Sequence, residues 1–246
     1  QRQMCIRDSS KSPLYSNSQE HDLNFFDTLQ QKTSMERQAL FGVPVIQDAL
    51  RGEIVVEQYI AFLTQAYHHV RHTVPLLMAC GSRLDGRHEW LRTAIAEYIE
   101  EELGHEEWVL SDIAACGGDA DRVRHSQPHA ATETMVAYAY HQIDRRNPVG
   151  FFGMVHVLEG TSTALATNAA STIQGALGLP PAAFSYLNSH GSLDIGHVEF
   201  FASLMNRLEQ ADDQQAVVHC ASMIYKLYGD IFRSLPDKSA ALIKEN

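Results

Sequence analysis

The chain has few cysteines, no long apolar run and a shortage of basic residues. Its four cysteines are widely spaced and form no CxxC pair: Cys5, Cys80, Cys116 and Cys220. This pattern argues against a disulfide framework and a thiolate metal site, and it fits a reducing cytoplasm. Nineteen basic residues against 30 acidic ones give a net charge of −11, which argues against nucleic acid and anionic membrane surfaces as partners. No apolar segment approaches the length of a bilayer span.

The first 22 residues also lack apolar periodicity and are rich in serine, glutamine and asparagine. This composition predicts a disordered leader, and it contains no apolar signal-peptide core. The opening QRQMCIRDS resembles translated sequencing-adapter read-through, in which case residues 1–10 are not native. Residues 23–246 then form the folded part of the chain.

The body of the chain has the apolar periodicity of successive helices and none of the alternation expected of strands. Its length of 246 residues suits one domain with a large core. We therefore predict a single all-α domain of about seven helices, with Pro44 and Pro75 breaking or kinking two of them. The predicted helices are Leu23–Gln47, Val56–Cys80, Arg87–Cys116, Ala130–Arg145, Val149–Leu177, Ala182–Leu208 and Asp212–Leu235.

The most informative polar residues are His190, Asp194 and His197, in the segment SHGSLDIGHVEFF. Offsets of four and three residues bring their side chains to one stripe of a helix. Two imidazoles and a carboxylate at one point are a typical ligand set for a first-row transition metal. A hydrogen-bonded His–Asp–His core cluster is the alternative, and the triplet alone does not decide between them.

A second set lies in the acidic segment AIAEYIEEELGHEEWVLSDI. Projection at about 100° per residue puts Glu102 near the centre of the apolar stripe, His105 near its edge and Glu101 at its border. Most of the other acidic residues project to a solvated face. A Glu and a His three residues apart form the ExxH arrangement of di-iron carboxylate bundles, so His105 with Glu102 or Glu101 is a predicted ligand pair.

Two further candidates come from other predicted helices. Glu159 is the only carboxylate between Asp144 and Asp194, and it lies in an apolar segment where an unpaired charge would be costly. The alternative is a protonated or hydrogen-bonded core glutamate. His69 projects to the edge of an apolar arc, as either a ligand or a core histidine, whereas His68 and His72 project away from it.

Taken in chain order, ExxH, a lone Glu and then HxxxDxxH resemble the haem-oxygenase-like di-iron oxidases. The resemblance extends from about Gly52 to Leu208, and GEIVVEQYIAFLTQAY and EEELGHEEW are also similar to TenA and PQQ-biosynthesis relatives of the fold. It implies a haem-oxygenase-like bundle over residues 23–246. It also implies a metal site formed by Glu102, His105, Glu159, His190, Asp194 and His197, with Glu101 and His69 as additional candidates.

The function implied by this resemblance is an O2-dependent oxidase or oxygenase acting on a small acid, amine or amino-acid-like molecule. Its cofactor would be Fe(II), with two ions expected and manganese as an alternative. A histidine at His69, where some relatives have a carboxylate, leaves open whether one or two ions bind. Bundles of this fold commonly pair, so the resemblance also suggests a homodimer.

Two other functions stay open. A TenA-like or haem-oxygenase-like bundle could bind a small cofactor without di-iron chemistry, and the polar cluster would then be structural. TenA thiaminases use a cysteine nucleophile, but neither Cys80 nor Cys220 lies beside an obvious base. Four basic residues could anchor a substrate carboxylate, although each also fits a solvated surface charge: Arg71, Arg145, Arg146 and Lys226.

Overall fold

The computed structural model describes residues 24–192 and 194–243, without the side chains of residues 190–195, 197 and 241–243. The predicted leader, residues 1–22, lies outside the described residues. Within the described ranges the chain is helical and contains no β-strand, which confirms the predicted all-α class. None of the described helices is both long enough and apolar enough to cross a membrane.

The described residues form fourteen α-helices, twice the predicted number. They are α1 (Phe25–Lys32), α2 (Ser34–Phe41), α3 (Pro44–Leu50), α4 (Val56–Val70), α5 (Thr73–Arg83), α6 (Glu89–Glu102), α7 (His105–Ala115), α8 (Ala120–Arg124), α9 (Ala130–Arg145), α10 (Phe152–Leu177), α11 (Ser185–Ser192), α12 (Asp194–Met205), α13 (Ala211–Arg233) and α14 (Lys238–Ile243). Short 3₁₀ turns precede α6, α10 and α11. The count of seven was wrong because several predicted helices are divided by short breaks.

Proline accounts for two of these breaks. Val43, the residue before Pro44, is extended, as the residue before proline prefers, and Pro44 opens α3. Pro75 has no N–H to donate to the carbonyl of Arg71, four residues earlier. The predicted helix Val56–Cys80 accordingly ends at Val70 and resumes as α5 at Thr73.

The predicted helix Arg87–Cys116 is divided at Leu103–Gly104. Leu103 is extended, and Gly104 has a φ of 88°, in the left-handed region that glycine adopts without strain. Glu102 is therefore the last residue of α6 and His105 the first residue of α7. The predicted Glu–His pair lies across a helix junction and not on one continuous helix.

The 26-residue helix α10 occupies the centre of the bundle and packs against α3, α11, α12 and α13. Two apolar clusters share it: Phe152, Met154 and Val155 belong to one cluster, whereas Ala166 and Ile173 belong to the other. The middle of α10, which carries Glu159, lies between them. Glu159 is half-buried there.

Candidate metal centre

Glu102 and Glu159 line one cavity of ≈ 80 Å³ together with His69. We call it the acidic cavity. The three residues come from α6, α10 and α4, so the packing of the bundle joins side chains 33 or more positions apart in sequence. The sequence predicted all three as candidates. His69 is buried, and its ring meets the ring of Tyr228 edge-on at 5.8 Å.

His105 contacts the cavity through Glu102. Its Nδ1 lies 3.0 Å from Oε2 of Glu102, and the two side chains are 4% and 18% exposed. The imidazole also stacks on Trp108, with the ring centroids 4.1 Å apart. His105 is thus held in one orientation beside the carboxylate, although it is not among the residues that line the acidic cavity.

The neighbouring candidates lie elsewhere. Glu101 is exposed and Glu102 is half-buried, so the structure favours Glu102 as the inward-facing carboxylate of the pair. His68 is buried, and its Nε2 lies 2.9 Å from the Ser126 hydroxyl, away from the acidic cavity. His72 faces Tyr140. Of these three histidines His69 lines the acidic cavity, but His68 is as buried as His69, so the prediction that His68 projects away from the apolar arc was wrong.

Three tyrosines complete the polar wall of the acidic cavity: Tyr98, Tyr186 and Tyr228. Burial raises the pKa of Tyr98 well above its usual range, and the charges of Glu159 and Glu102 add to this effect. Burial does the same to the pKa of Tyr186, with smaller contributions from Tyr228 and Glu102. The Tyr98 hydroxyl is buried and has no hydrogen-bond partner among the described residues. It is therefore a protonated donor with unused capacity at the cavity wall.

His190, Asp194 and His197 lie outside the described side chains, so their role stays a prediction. Within the described part of the chain, no three His, Cys, Asp or Glu side chains converge closely enough to hold a metal ion. The helices that carry the triplet, α11 and α12, both pack against α10.

Asp112 is a buried residue that the sequence did not single out. From α7, its Oδ1 accepts from the backbone N–H of Ser185 (3.0 Å) and its Oδ2 from that of Tyr186 (2.9 Å). These are free N–H groups of the first turn of α11, which favours a negative charge. Asp112 lies three residues after Val109 on the apolar stripe, so helical projection of the sequence could have identified it as a buried carboxylate. The Asp112 carboxylate thereby links α7, which begins at His105, to α11, which carries His190.

Replacing Asp112 with alanine is expected to lower the free energy of unfolding by about 2 kcal/mol, because the buried N–H of Tyr186 loses its acceptor. Burial raises the pKa of Asp112, whereas its hydrogen bonds to Ser185 and Tyr186 lower it. Because the alanine variant no longer buries a carboxylate, the relief of this desolvation offsets part of the lost stability. Urea unfolding of D112A beside the exposed control D121A measures the difference. Equal stability of the two variants would contradict the assigned role.

Two further spaces adjoin the acidic cavity. The apolar cavity, ≈ 100 Å³, shares Ser162, Tyr186 and Tyr228 with it and is otherwise lined mainly by aliphatic and aromatic side chains. The second space, ≈ 260 Å³, shares Glu159 with it and is lined by Arg37, His156 and Tyr225 among others. We call this one the Arg37 cleft. Glu159 therefore lies in the wall between a carboxylate-rich cavity and a cleft that holds a guanidinium.

The described cysteines, Cys80, Cys116 and Cys220, are free thiols. Burial raises the pKa of Cys80 and that of Cys220 to about 12 and the pKa of Cys116 to about 11. Because the thiolate is the nucleophile, these three thiols are poorly suited to covalent catalysis.

Comparison with solved structures places the chain among haem-oxygenase-like folds. A Shewanella denitrificans protein, described as a domain of unknown function with a haem-oxygenase-like fold, is 26% identical with a TM-score of 0.76, covering 86% of this chain and 91% of that one. A TenA homologue from P. horikoshii is 9% identical with a TM-score of 0.71, and the match covers 86% of this chain and 97% of that one. Haem oxygenase-1 from Synechocystis, in complex with haem, is 12% identical with a TM-score of 0.70, and the match covers 91% of this chain and 96% of that one. No curated protein matches the chain.

The sequence profile of one family matches residues 60–229, more than half of the chain. This family is described as "Iron-containing redox enzyme". The match spans α4 to α13 and therefore includes every predicted metal ligand. The chain belongs to the iron-containing redox enzyme family and has the haem-oxygenase-like helical fold.

Proposed function

We propose that the protein is an O2-dependent non-haem iron oxidase or oxygenase that acts on a small acid, amine or amino-acid-like molecule. The carrying observation is the acidic cavity, which Glu102, Glu159 and His69 line from three helices of a bundle of the iron-containing redox enzyme family. The proposed metal ligands are those predicted from the sequence: Glu102, His105, Glu159, His190, Asp194 and His197.

The donors of the acidic cavity fit such a metal. Carboxylate and imidazole are ligands that iron and manganese accept, and two partly buried carboxylates need a counter-charge. The Tyr98 hydroxyl adds a donor without a partner among the described residues, which supports a polar occupant. Bound iron would supply the redox chemistry with O2 that a side chain alone cannot perform. His190, Asp194 and His197 would provide the ligands that the described residues lack.

In this proposal the protein's own groups orient the ligands and control protons. The stacked His105 ring fixes the Glu102 carboxylate, and Tyr98 stays protonated and able to donate a hydrogen bond into the cavity. Apolar residues such as Leu76, Leu77 and Val155 wall the cavity and limit access of water. His69 is an additional nitrogen ligand, which suits either one ion or two.

The second candidate is a TenA-like bundle that binds a small cofactor without redox chemistry, and the apolar cavity beside Tyr186 and Tyr228 favours it. Cysteine chemistry at the described thiols is disfavoured by their raised pKa values. Haem fits poorly, because a haem pocket does not need the two carboxylates that line the acidic cavity. A homodimer and a cytoplasmic location stay predictions from the sequence.

The proposal is tested by metal analysis after anaerobic purification and reconstitution with Fe(II). We expect one or two iron ions per chain after gel filtration, and a change in the visible spectrum on admitting O2. Mn(II) and Mg(II) are loaded in parallel, and Mg(II) should be retained least because it prefers oxygen-only ligands. Oxygen uptake is then screened with small acids and amines. Protein that retains no iron and shows no spectral change would refute the oxidase proposal and favour the cofactor-binding alternative.

A further inference from the structure

The Arg37 cleft brings three hydrogen-bonding side chains from separate helices to the second face of Glu159. Arg37 comes from α2, His156 from α10 and Tyr225 from α13. Arg37 is half-buried, whereas His156 and Tyr225 are buried. Of the two spaces that adjoin the acidic cavity, only this cleft has a charged group among its lining residues apart from the shared Glu159.

His156 provides the evidence that this cleft takes a ligand. His156 is 7% exposed, and its Nε2 has no hydrogen-bond partner among the described residues. The ring is fixed from three sides: it stacks on Phe201 at 5.7 Å and meets the edges of Phe26 and Tyr225 at 6.1 and 6.3 Å. An immobilised buried nitrogen without a partner is costly unless something in the cleft bonds to it.

Arg37 determines which kind of ligand suits the cleft. It donates hydrogen bonds to Oε1 of Gln30, at 3.1 Å, and to the Tyr225 hydroxyl, and a guanidinium has five N–H donors in all. Burial is the main cause that lowers the pKa of His156, and the positive charge of Arg37 adds to it. The same charge opposes the increase that burial causes in the pKa of Tyr225, so Arg37 acts on both neighbours. A guanidinium beside a neutral imidazole and a phenol matches a planar anion that accepts two hydrogen bonds.

We propose that the Arg37 cleft binds the carboxylate of the substrate and directs the rest of the molecule towards Glu159. This inference rests on the proposed function and narrows its substrate class to small monocarboxylic acids. The cleft volume of ≈ 260 Å³ exceeds the about 150 Å³ that holds benzene, so an acid of the size of phenylacetate fits. A dianion such as phosphate or sulfate is disfavoured, because Glu159 brings negative charge to the same cleft.

Isothermal titration of the full chain with phenylacetate, its uncharged analogue phenylacetamide, and sulfate tests the proposal. Each is titrated into metal-free and into Fe(II)-loaded protein. Phenylacetate should bind at least about tenfold more tightly than phenylacetamide, because hydrogen bonds to charged groups are the stronger ones. Arg37→Gln should weaken phenylacetate binding by about tenfold or more. The control Arg122→Gln removes an exposed arginine on α8 and should leave the affinity unchanged.

A second pair of variants tests the location of the ligand. A Cβ at Gly160, which lines the cleft, would meet no atom within 4 Å, so Gly160→Ala should fold and bind phenylacetate normally. Gly160→Leu extends a bulky side chain into the same space and should abolish binding. Both variants should keep the secondary structure of the wild type by circular dichroism.

The outcomes separate this inference from the proposed function. Equal affinity for phenylacetate and phenylacetamide, unchanged binding in Arg37→Gln, or binding of sulfate alone would overturn the carboxylate site whatever the iron content. Conversely, carboxylate-selective binding by protein that retains no iron after reconstitution with Fe(II) would support the cleft and refute the oxidase. Arg37→Gln should retain wild-type iron content, because Arg37 is not a proposed ligand.

Discussion

Replacing Glu159 with glutamine is expected to remove most bound iron and to lower O2 uptake by at least about 100-fold. The substitution keeps the size of the side chain and removes one of the two carboxylates from the acidic cavity. Loss of a partner outside the ligand shell already costs about 10- to 100-fold in metal affinity or activity, so loss of a ligand costs more. Glu102→Gln should behave similarly, because it removes the carboxylate oxygen that lies 3.0 Å from Nδ1 of His105.

Glu100→Gln is the matched control. Glu100 lies two residues before Glu102 in α6 and is exposed, so the same chemical change should leave iron content and O2 uptake unaltered. Asp194→Ala extends the test to the triplet predicted from the sequence. Iron retained at wild-type stoichiometry in Glu102→Gln, Glu159→Gln and Asp194→Ala would show that the predicted ligands are wrong, even if the protein binds iron elsewhere.

Acidification from pH 6.5 to pH 4 is expected to destabilise the wild type by about 3 kcal/mol through His156 alone. Burial, with a smaller contribution from Arg37, lowers the pKa of His156 from 6.5 to about 4. Between these values the unfolded chain binds a proton that the folded chain does not, so the free energy of unfolding falls as the pH falls. Each tenfold difference in proton affinity corresponds to about 1.36 kcal/mol, which gives this magnitude.

The measurement is urea unfolding of wild type and His156→Gln at several pH values. Glutamine does not titrate, so the difference in stability between the two proteins should shrink by about 3 kcal/mol from pH 7 to pH 4. The other titrating groups, including His68 and His72, act equally in both proteins and cancel. A difference that is independent of pH would mean that His156 does not stay neutral in the folded state.

Three residues of the acidic cavity could be predicted because helical periodicity reports which face a side chain occupies. Glu102 was identified near the centre of an apolar stripe, Glu159 in an apolar segment and His69 at the edge of an apolar arc, and the folded chain brings all three to one cavity. The end points of α9 were also predicted. The all-α class and the fold followed from the absence of strand patterns and from the order of the motifs.

Other features depend on packing between distant segments, which periodicity does not report. Gly104 interrupts a pattern that is helical on both sides, and its φ of 88° became visible only in the folded chain. Arg37 lies in α2, before the segment that carried the family resemblance. The basic residues considered as carboxylate anchors do not line the acidic cavity or the Arg37 cleft: Arg71, Arg145, Arg146 and Lys226.

The junction at Leu103–Gly104 has a consequence for how the protein acquires its site during folding. A Glu and a His on one unbroken helix would come together as soon as that helix formed. Here α6 packs on α5 and α7 packs on α4, so the spacing of Glu102 and His105 depends on two separate docking events. A fragment spanning residues 89–115 would therefore not hold the pair, and the capacity to bind metal would arise late, once the bundle has closed.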